Sequence, residues 1–347
     1  MNIKSKIIEK ILTGLLLSLT LLACTTTKKI KTENGISKIQ KIELGGVSQW
    51  TLIRGENKGN PVVLFLHGGP GASETALLRK YNGELEKHFT MVFWDQRGTT
   101  KSYSKHIPRE TMTLNQLMND ANELILYLKG ELHTDKIILV GHSWGTVLGM
   151  ELAKKYPENF ICYVGIGQVI NSDMGEKISY NYTLSKAKEL DNKKAISDLE
   201  KMGEPVGGKY SPWDMGTQRK WLLRFGGERH TKNNYRDYAF AFLNSREYTL
   251  FDMFKFYKGS AFSWVLREDE EKIDFFTQTP ELEIPVFFCA GKYDYNTPTE
   301  LVKEYFAMVK APNKKLTEFD NSGHMLIFEE ADKFNKFMMD EVLPLTE

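Results

Sequence analysis

Four short apolar runs constrain this chain more than any other feature: residues 61–66 (PVVLFL), 90–94 (TMVFW), 136–140 (KIILV) and 160–166 (FICYVGI). They lack polar alternation and are short for buried helices. That is the pattern of strands covered on both faces of a parallel sheet. Helical segments separate them. Residues 74–88 suit a helix. Leu114, Leu117, Met118, Ala121, Leu124, Ile125 and Leu128 recur at helical spacing behind a Thr113/Gln116 capping box. A further helix is expected from Ser143 to about Tyr156. Strand and helix thus alternate from 61 to 166, which implies a parallel sheet with right-handed crossovers. Ahead of them, residues 42–54 read as two short strands around Gly45-Gly46, a hairpin signal.

The alternation stops at Asn171. Residues 171–280 show no clear buried strand, yet they carry 19 of the chain's 41 aromatic residues. It resumes with a strand at 285–290 (PVFFCA), a helix over 298–310, a short strand at 315–319 and a last helix over 325–340. The expected organisation is one α/β core, residues 39–170 and 281–347, interrupted by a helical cap insertion at 171–280.

Lys plus Arg total 46 and Asp plus Glu 45, a net charge of +1. No basic excess is present to neutralise phosphates, so nucleic acid is not an expected partner. Three cysteines without a CxxC pair argue against a disulfide framework and a structural zinc site. Cys162 and Cys289 fall in predicted buried strands and read as core residues. No HExxH, P-loop or GxGxxG follows a strand, so the expectation is neither metal nor cofactor.

The N-terminus reads as an address. Lys4, Lys6 and Lys10 precede an apolar run at 11–23, short for a membrane span but fitting a secretory signal. It ends Leu21-Leu22-Ala23-Cys24, which resembles the lipobox of bacterial lipoproteins. That resemblance implies cleavage of residues 1–23, lipid on Cys24, and a protein anchored to the bacterial cell membrane and facing outside the cytoplasm. Residues 24–38 are polar and lack apolar periodicity, as in a tether.

The chemistry centres on Gly141-His142-Ser143-Trp144-Gly145, a match to G-x-S-x-G. Composition alone yields about one such match per ten chains of this length. Here it falls between a buried strand and a helix, where a nucleophile elbow belongs. Gly141 and Gly145 leave room for the sharp turn, and the following helix aims its N-terminal dipole at developing negative charge. His67-Gly68-Gly69-Pro70-Gly71 follows the first buried strand. The N–H groups of Gly69 and Trp144 are the expected oxyanion donors. A hydroxyl nucleophile needs a base, and the base an orienting acid. In this chain order the base is His324, after the last strand, rather than His230 in the insertion. The acid is Asp294, directly after PVFFCA. Asp320, four residues before His324, is the alternative but is badly placed to reach the far ring nitrogen. His67 and His142 are expected to buttress the loops around the site.

These boxes, together with Asp95-Gln96-Arg97-Gly98 and Ser322-Gly323-His324, resemble the α/β-hydrolase superfamily, and within it the prolyl aminopeptidase (proline iminopeptidase) family. The resemblance covers about residues 40–170 and 280–345. It implies a mostly parallel sheet flanked by helices, with a helical cap over a Ser143–His324–Asp294 triad, and loop-organising roles for Asp95 and Arg97. It also implies an aminopeptidase that releases N-terminal proline or a small residue from peptides, with cap carboxylates binding the free amine of the substrate's N-terminal residue. Glu204, Glu228 and Glu247 are the candidates, although the family's Trp-Glu element is not found. The competing readings are an esterase or lipase for small acyl esters, and a non-catalytic surface binding lipoprotein.

Overall fold

The computed structural model describes residues 26–346. The proposed signal segment 1–23 and Cys24 lie outside the described residues. Eight strands form one sheet: β1 (Ile36–Leu44), β2 (Val47–Gly55), β3 (Val62–Leu66), β4 (Thr90–Trp94), β5 (Ile137–His142), β6 (Phe160–Ile166), β7 (Val286–Gly291) and β8 (Lys314–Phe319). Their spatial order is β1-β2-β4-β3-β5-β6-β7-β8. β1 and β2 pair antiparallel, as do β2 and β4, and every other pair is parallel.

Side-chain alternation divides the core in two. Val62, Leu64 and Leu66 of β3 join a cluster on one face of the sheet. Val63 and Phe65 join the cluster on the other. The first face is covered by helices Leu114–Leu132 and Trp144–Lys155, the second by Thr75–Tyr81 and the C-terminal helices. Strands β3, β4, β5 and β7 are buried at every position, which explains their unbroken apolar runs.

Three local expectations need correction. β1 starts at Ile36, inside the segment read as a tether. Ile36, Ile39 and Ile42 are spaced by three, so they hide the alternation that marks a strand, and backbone pairing with β2 along all of β1 makes the strand instead. The turn is as expected: Gly45 and Gly46 both have positive φ, 53° and 73°, as a type I′ hairpin requires. The Thr113 hydroxyl does accept from the Gln116 N–H, but the Gln116 side chain turns to Asp120, so the capping box is half-made. The last helix is broken into Leu326–Glu329 and Ala331–Phe337. At the break, Glu330 accepts from Asn321 N–H (3.0 Å) and the Ser322 hydroxyl (2.8 Å), and Glu329 accepts from Gly323 N–H (3.0 Å). The helix yields to the loop it holds.

Between β6 and β7 the described chain forms helices Ser172–Glu189, Lys193–Met202, Pro212–Arg224, Arg236–Leu243 and Leu250–Ser263. Tyr180, Ala187, Ala195, Leu199 and Trp221 give the first three a small core of their own. No helix among the described residues is long and apolar enough to cross a membrane.

Candidate active site

The parallel strands β3, β5, β7 and β8 end at one edge of the sheet, the edge where α/β sheets place ligands. The loops leaving them carry Gly69, Ser143, Asp294 and His324 respectively.

Ser143 joins β5 to helix Trp144–Lys155 with φ 54° and ψ −125°, a conformation a residue with a side chain adopts only under constraint. Close packing supplies it. A Cβ on Gly145 would collide with the Leu66 carbonyl, and one on Gly141 with the carbonyl of Gly145. Ser143 N–H donates to the Ile166 carbonyl at 3.0 Å, and the Thr146 hydroxyl donates back to the Ser143 carbonyl at 2.6 Å. Trp144 opens the helix, so its N–H has no acceptor within the helical ladder.

His324 Nδ1 donates to Asp294 Oδ2 at 2.8 Å, and both side chains are buried. Asp294 is held from its other side. Its Oδ1 accepts from the N–H groups of Asn296 and Thr297, each at 2.9 Å, and its Oδ2 from the Thr297 hydroxyl, also at 2.9 Å. These bonds fix the carboxylate toward Nδ1 and leave Nε2 as the free ring nitrogen. Asp320 is exposed and pairs with Lys333 at 3.1 Å, which pulls its pKa down. It is Asp294, therefore, that meets the imidazole. His230 is exposed and stacks on Tyr293 with centroids 3.5 Å apart.

A second histidine system supports this one. His142 Nδ1 donates to Glu74 Oε1 at 2.6 Å, and His142 Nε2 to the backbone carbonyl of His324 at 3.1 Å. Both ring nitrogens face acceptors, so the imidazolium satisfies the pocket. Burial opposes the charge, but the adjacent Glu74 carboxylate outweighs it, and the His142 pKa is raised. Glu74 Oε2 also accepts from Gly68 N–H at 3.1 Å, which ties the Gly69 loop to the His324 loop. His67 is the opposite case: burial lowers its pKa. Neutral His67 donates from Nδ1 to the Gly68 carbonyl (2.9 Å) and accepts Gln96 N–H at Nε2 (3.2 Å). Farther out, Arg97 and Asp120 form a fully buried bidentate pair, and Arg97 also donates to the carbonyls of Leu44 and Gly45. Burial pushes the Asp95 carboxyl up to about 6, against hydrogen bonds from the Ser73 and Tyr248 hydroxyls.

Ser143 stands between two hollows. One, of 460 Å³, holds His324 and is walled by Leu77, Tyr238, Phe242, Met253 and Met325. The other, of 340 Å³, is walled on its far side by Glu176, Arg219, Arg267 and Glu270. Gly69, Ala72, Phe256 and Asn296 border both. In the polar hollow Glu176 Oε1 is 2.6 Å from Arg219 and 3.0 Å from Arg267. Its Oε2 is buried with no hydrogen-bond partner. Glu270 Oε2 lies 3.0 Å from Arg267 Nη1 but without hydrogen-bond alignment, so it too is unsatisfied. Burial works against charge on both acids. For Glu176 the two arginines prevail and the pKa falls; for Glu270 burial prevails and the pKa rises.

The three cap glutamates singled out from the sequence do not wall either hollow. Glu204 is exposed beside Asn181, Glu228 accepts from the Tyr235 hydroxyl, and Glu247 is buried against Thr27, Ser245 and Arg79. Sequence reasoning missed Glu176 and Glu270 because an acid on a helix of mixed polarity looks solvated. It missed Glu74 because position 74 read only as the first residue of a helix.

The fold and the occupants of one sheet edge define a hydrolase of the α/β class. The chain belongs to the α/β-hydrolase family: the family model described as alpha/beta hydrolase fold matches residues 61–331. Among its relatives, the probable aminopeptidase YbaC of Bacillus subtilis (strain 168) is 33% identical over 312 residues, spanning 88% of this chain and 96% of that protein. A proline iminopeptidase of Heyndrickxia coagulans is 26% identical over 289 residues, spanning 80% and 89%. Among solved structures, a proline iminopeptidase from Mycobacterium smegmatis superposes with a TM-score of 0.64 at 14% identity, covering 88% of this chain and 97% of that one. An esterase from Exiguobacterium antarcticum gives 0.54 at 16%, covering 87% and 98%. At such identities the structural likeness speaks to the fold alone.

Proposed function

We propose that this hydrolase works through an acyl-enzyme on Ser143 and releases the N-terminal residue of short peptides. The observation that carries the reading is the buried His324–Asp294 hydrogen bond of 2.8 Å on the wall of the cavity that Ser143 also lines. In the mechanism, His324 Nε2 takes the Ser143 Oγ proton as Oγ attacks the scissile carbonyl. The N–H groups of Gly69 and Trp144 receive the oxyanion. Asp294 holds the imidazole with Nδ1 protonated and stabilises the imidazolium. The C–N bond then breaks as His324 passes that proton to the departing amine. Water, deprotonated by His324, attacks the acyl-enzyme, and Ser143 recovers its proton as the acid leaves.

The two hollows support an orientation for the substrate. The leaving group must sit beside the group that protonates it, and His324 borders only the apolar hollow. The acyl half therefore extends into the polar one, where the unsatisfied oxygens of Glu176 and Glu270 suit its free ammonium. The apolar lining around His324 also supports a second reading, an esterase for small acyl esters with apolar alcohols. Paired anilides of one amino acid, with the amine free or acetylated, separate the two. The aminopeptidase reading expects rapid cleavage of the free-amine compound only, and equal cleavage of both would sink it. Loss of fluorophosphonate labelling in Ser143→Ala, but not in the wild type, tests the serine chemistry itself.

A further inference from the structure

Helices Arg236–Leu243 and Leu250–Ser263 bury one side and leave the other bare. Phe240, Phe251, Phe254 and Tyr257 are between 62% and 78% exposed, and Leu243 and Leu250 are about half exposed. Leu250, Phe254 and Tyr257 follow a four-then-three spacing and share one helix face. Single exposed apolar groups are ordinary, but this many on two consecutive helices mark a contact surface.

The chain enters the body at this surface. Thr26, the first described residue, donates its N–H to the Arg246 carbonyl at 3.1 Å, in the link between the two helices. The Thr27 hydroxyl donates to Glu247 at 2.8 Å, and Arg54 donates to the Lys28 carbonyl at 2.6 Å. The apolar run 11–23 and Cys24 stand immediately upstream in the sequence. One residue, Thr25, separates Cys24 from Thr26, and the two Cα–Cα steps span at most about 7 Å of extended chain. Beside Phe240 lies a hollow of 330 Å³ rimmed by Lys28, Lys80 and Arg246, whose side chains are exposed. The carboxylate at that hollow, Glu247, is engaged by Arg79 at 3.4 Å. The rim is therefore positively charged.

We propose that this face docks on an anionic lipid bilayer. Phe240, Phe251, Phe254 and Tyr257 enter the interfacial zone, and Lys28, Lys80 and Arg246 meet lipid phosphates. A lipid on Cys24, the expectation from its lipobox-like sequence, would start two positions before Thr26 and so favour this face over another. Phe242 and Met253, on the same two helices, wall the apolar hollow, so the docking element is also the wall of the site. The inference does not depend on the serine chemistry.

The test uses the full-length chain carrying Cys24→Ser, in which the apolar run 11–23 serves as the only anchor to the vesicle and an introduced thiol is the exposed one; Cys162 and Cys289 are buried. A fluorophore is placed at Phe254→Cys or, as control, at Leu126→Cys on the helix covering the opposite face of the sheet. The protein is bound to vesicles of phosphatidylethanolamine and phosphatidylglycerol doped with lipid spin-labelled high on the acyl chain. Quenching at position 254 is expected to exceed that at 126 at least two-fold. It should fall to the control level in Phe240→Ser/Phe251→Ser/Tyr257→Ser protein, whose exposed substitutions leave the melting temperature unchanged. Equal quenching at the two positions overturns the proposal, as does unchanged quenching in the triple variant. Self-association of the labelled protein in place of quenching would assign the face to a second copy and overturn it equally.

Discussion

The polar and apolar hollows meet at Ser143, share Gly69, Ala72, Phe256 and Asn296, and are otherwise built from opposite materials. The sheet edge gives both the same serine. Helices Ser172–Glu189 and Pro212–Arg224 and the Arg267–Glu270 turn supply charge to one. Helices Arg236–Leu243 and Leu250–Ser263 supply apolar side chains to the other. On the proposed reading this is a division of labour: the core sets what bond chemistry is available, and the inserted helices set which half of a substrate lies where. Buried charge with unsatisfied oxygens lowers stability. A ligand ammonium bound beside Ser143 would offset that cost.

The largest expected effect ignores the comparison and tests its shared centre. Ser143→Ala should lower kcat by about 10⁴-fold or more, with Asp294→Asn lowering it by a similar order, while substrate binding measured directly is retained. Near-normal turnover in either variant would refute the triad. Next comes the polar hollow. Glu176→Gln/Glu270→Gln should reduce kcat/KM by about 10- to 100-fold for free-amine substrates and leave the acetylated analogues nearly unaffected. A uniform loss across both sets would mean that the acids hold the cap together and nothing more. The apolar hollow should respond to the leaving group instead. Leu77→Ala is expected to cost roughly ten-fold on substrates with a bulky apolar leaving residue and little on those leaving alanine. If the variant instead discriminates by the acyl residue, the assigned orientation is reversed.

The smallest effect concerns the frame that holds the His324 loop. His142 has a raised pKa in the folded protein, so its contribution to stability is complete below the ordinary histidine value of 6.5. It is lost as pH rises through the higher folded value. Denaturant titrations of wild-type and His142→Asn protein should therefore differ by about 1 kcal/mol near pH 6, with the gap narrowing at higher pH. A gap that widens with pH would show that His142 is neutral in the fold.

Much of this molecule is legible in its sequence. A parallel strand buried on both faces must be apolar throughout, so β3, β4, β5 and β7 announced themselves. Ser143 was legible because strand, Gly141, Gly145 and helix coincide in one short stretch. β1 was obscured because an edge strand is held by its backbone pairing, which leaves little trace in side-chain pattern. The break at Glu330 was obscured because its cause, the loop at Asn321–Gly323, competes for the same carboxylates only after the chain has folded.

By itself the sequence determined the buried parallel strands, the elbow and the chain order of serine, acid and histidine, since each depends on local composition and on rules of strand connection. Only the tertiary structure decided that Glu74 braces His142, and that Glu176 and Glu270 rather than Glu204, Glu228 or Glu247 wall a hollow beside Ser143. The reason is physical. A helix shows in sequence which residues share its face, but which neighbour that face meets is set by packing among elements far apart along the chain, and the chemistry of a carboxylate depends on that neighbour.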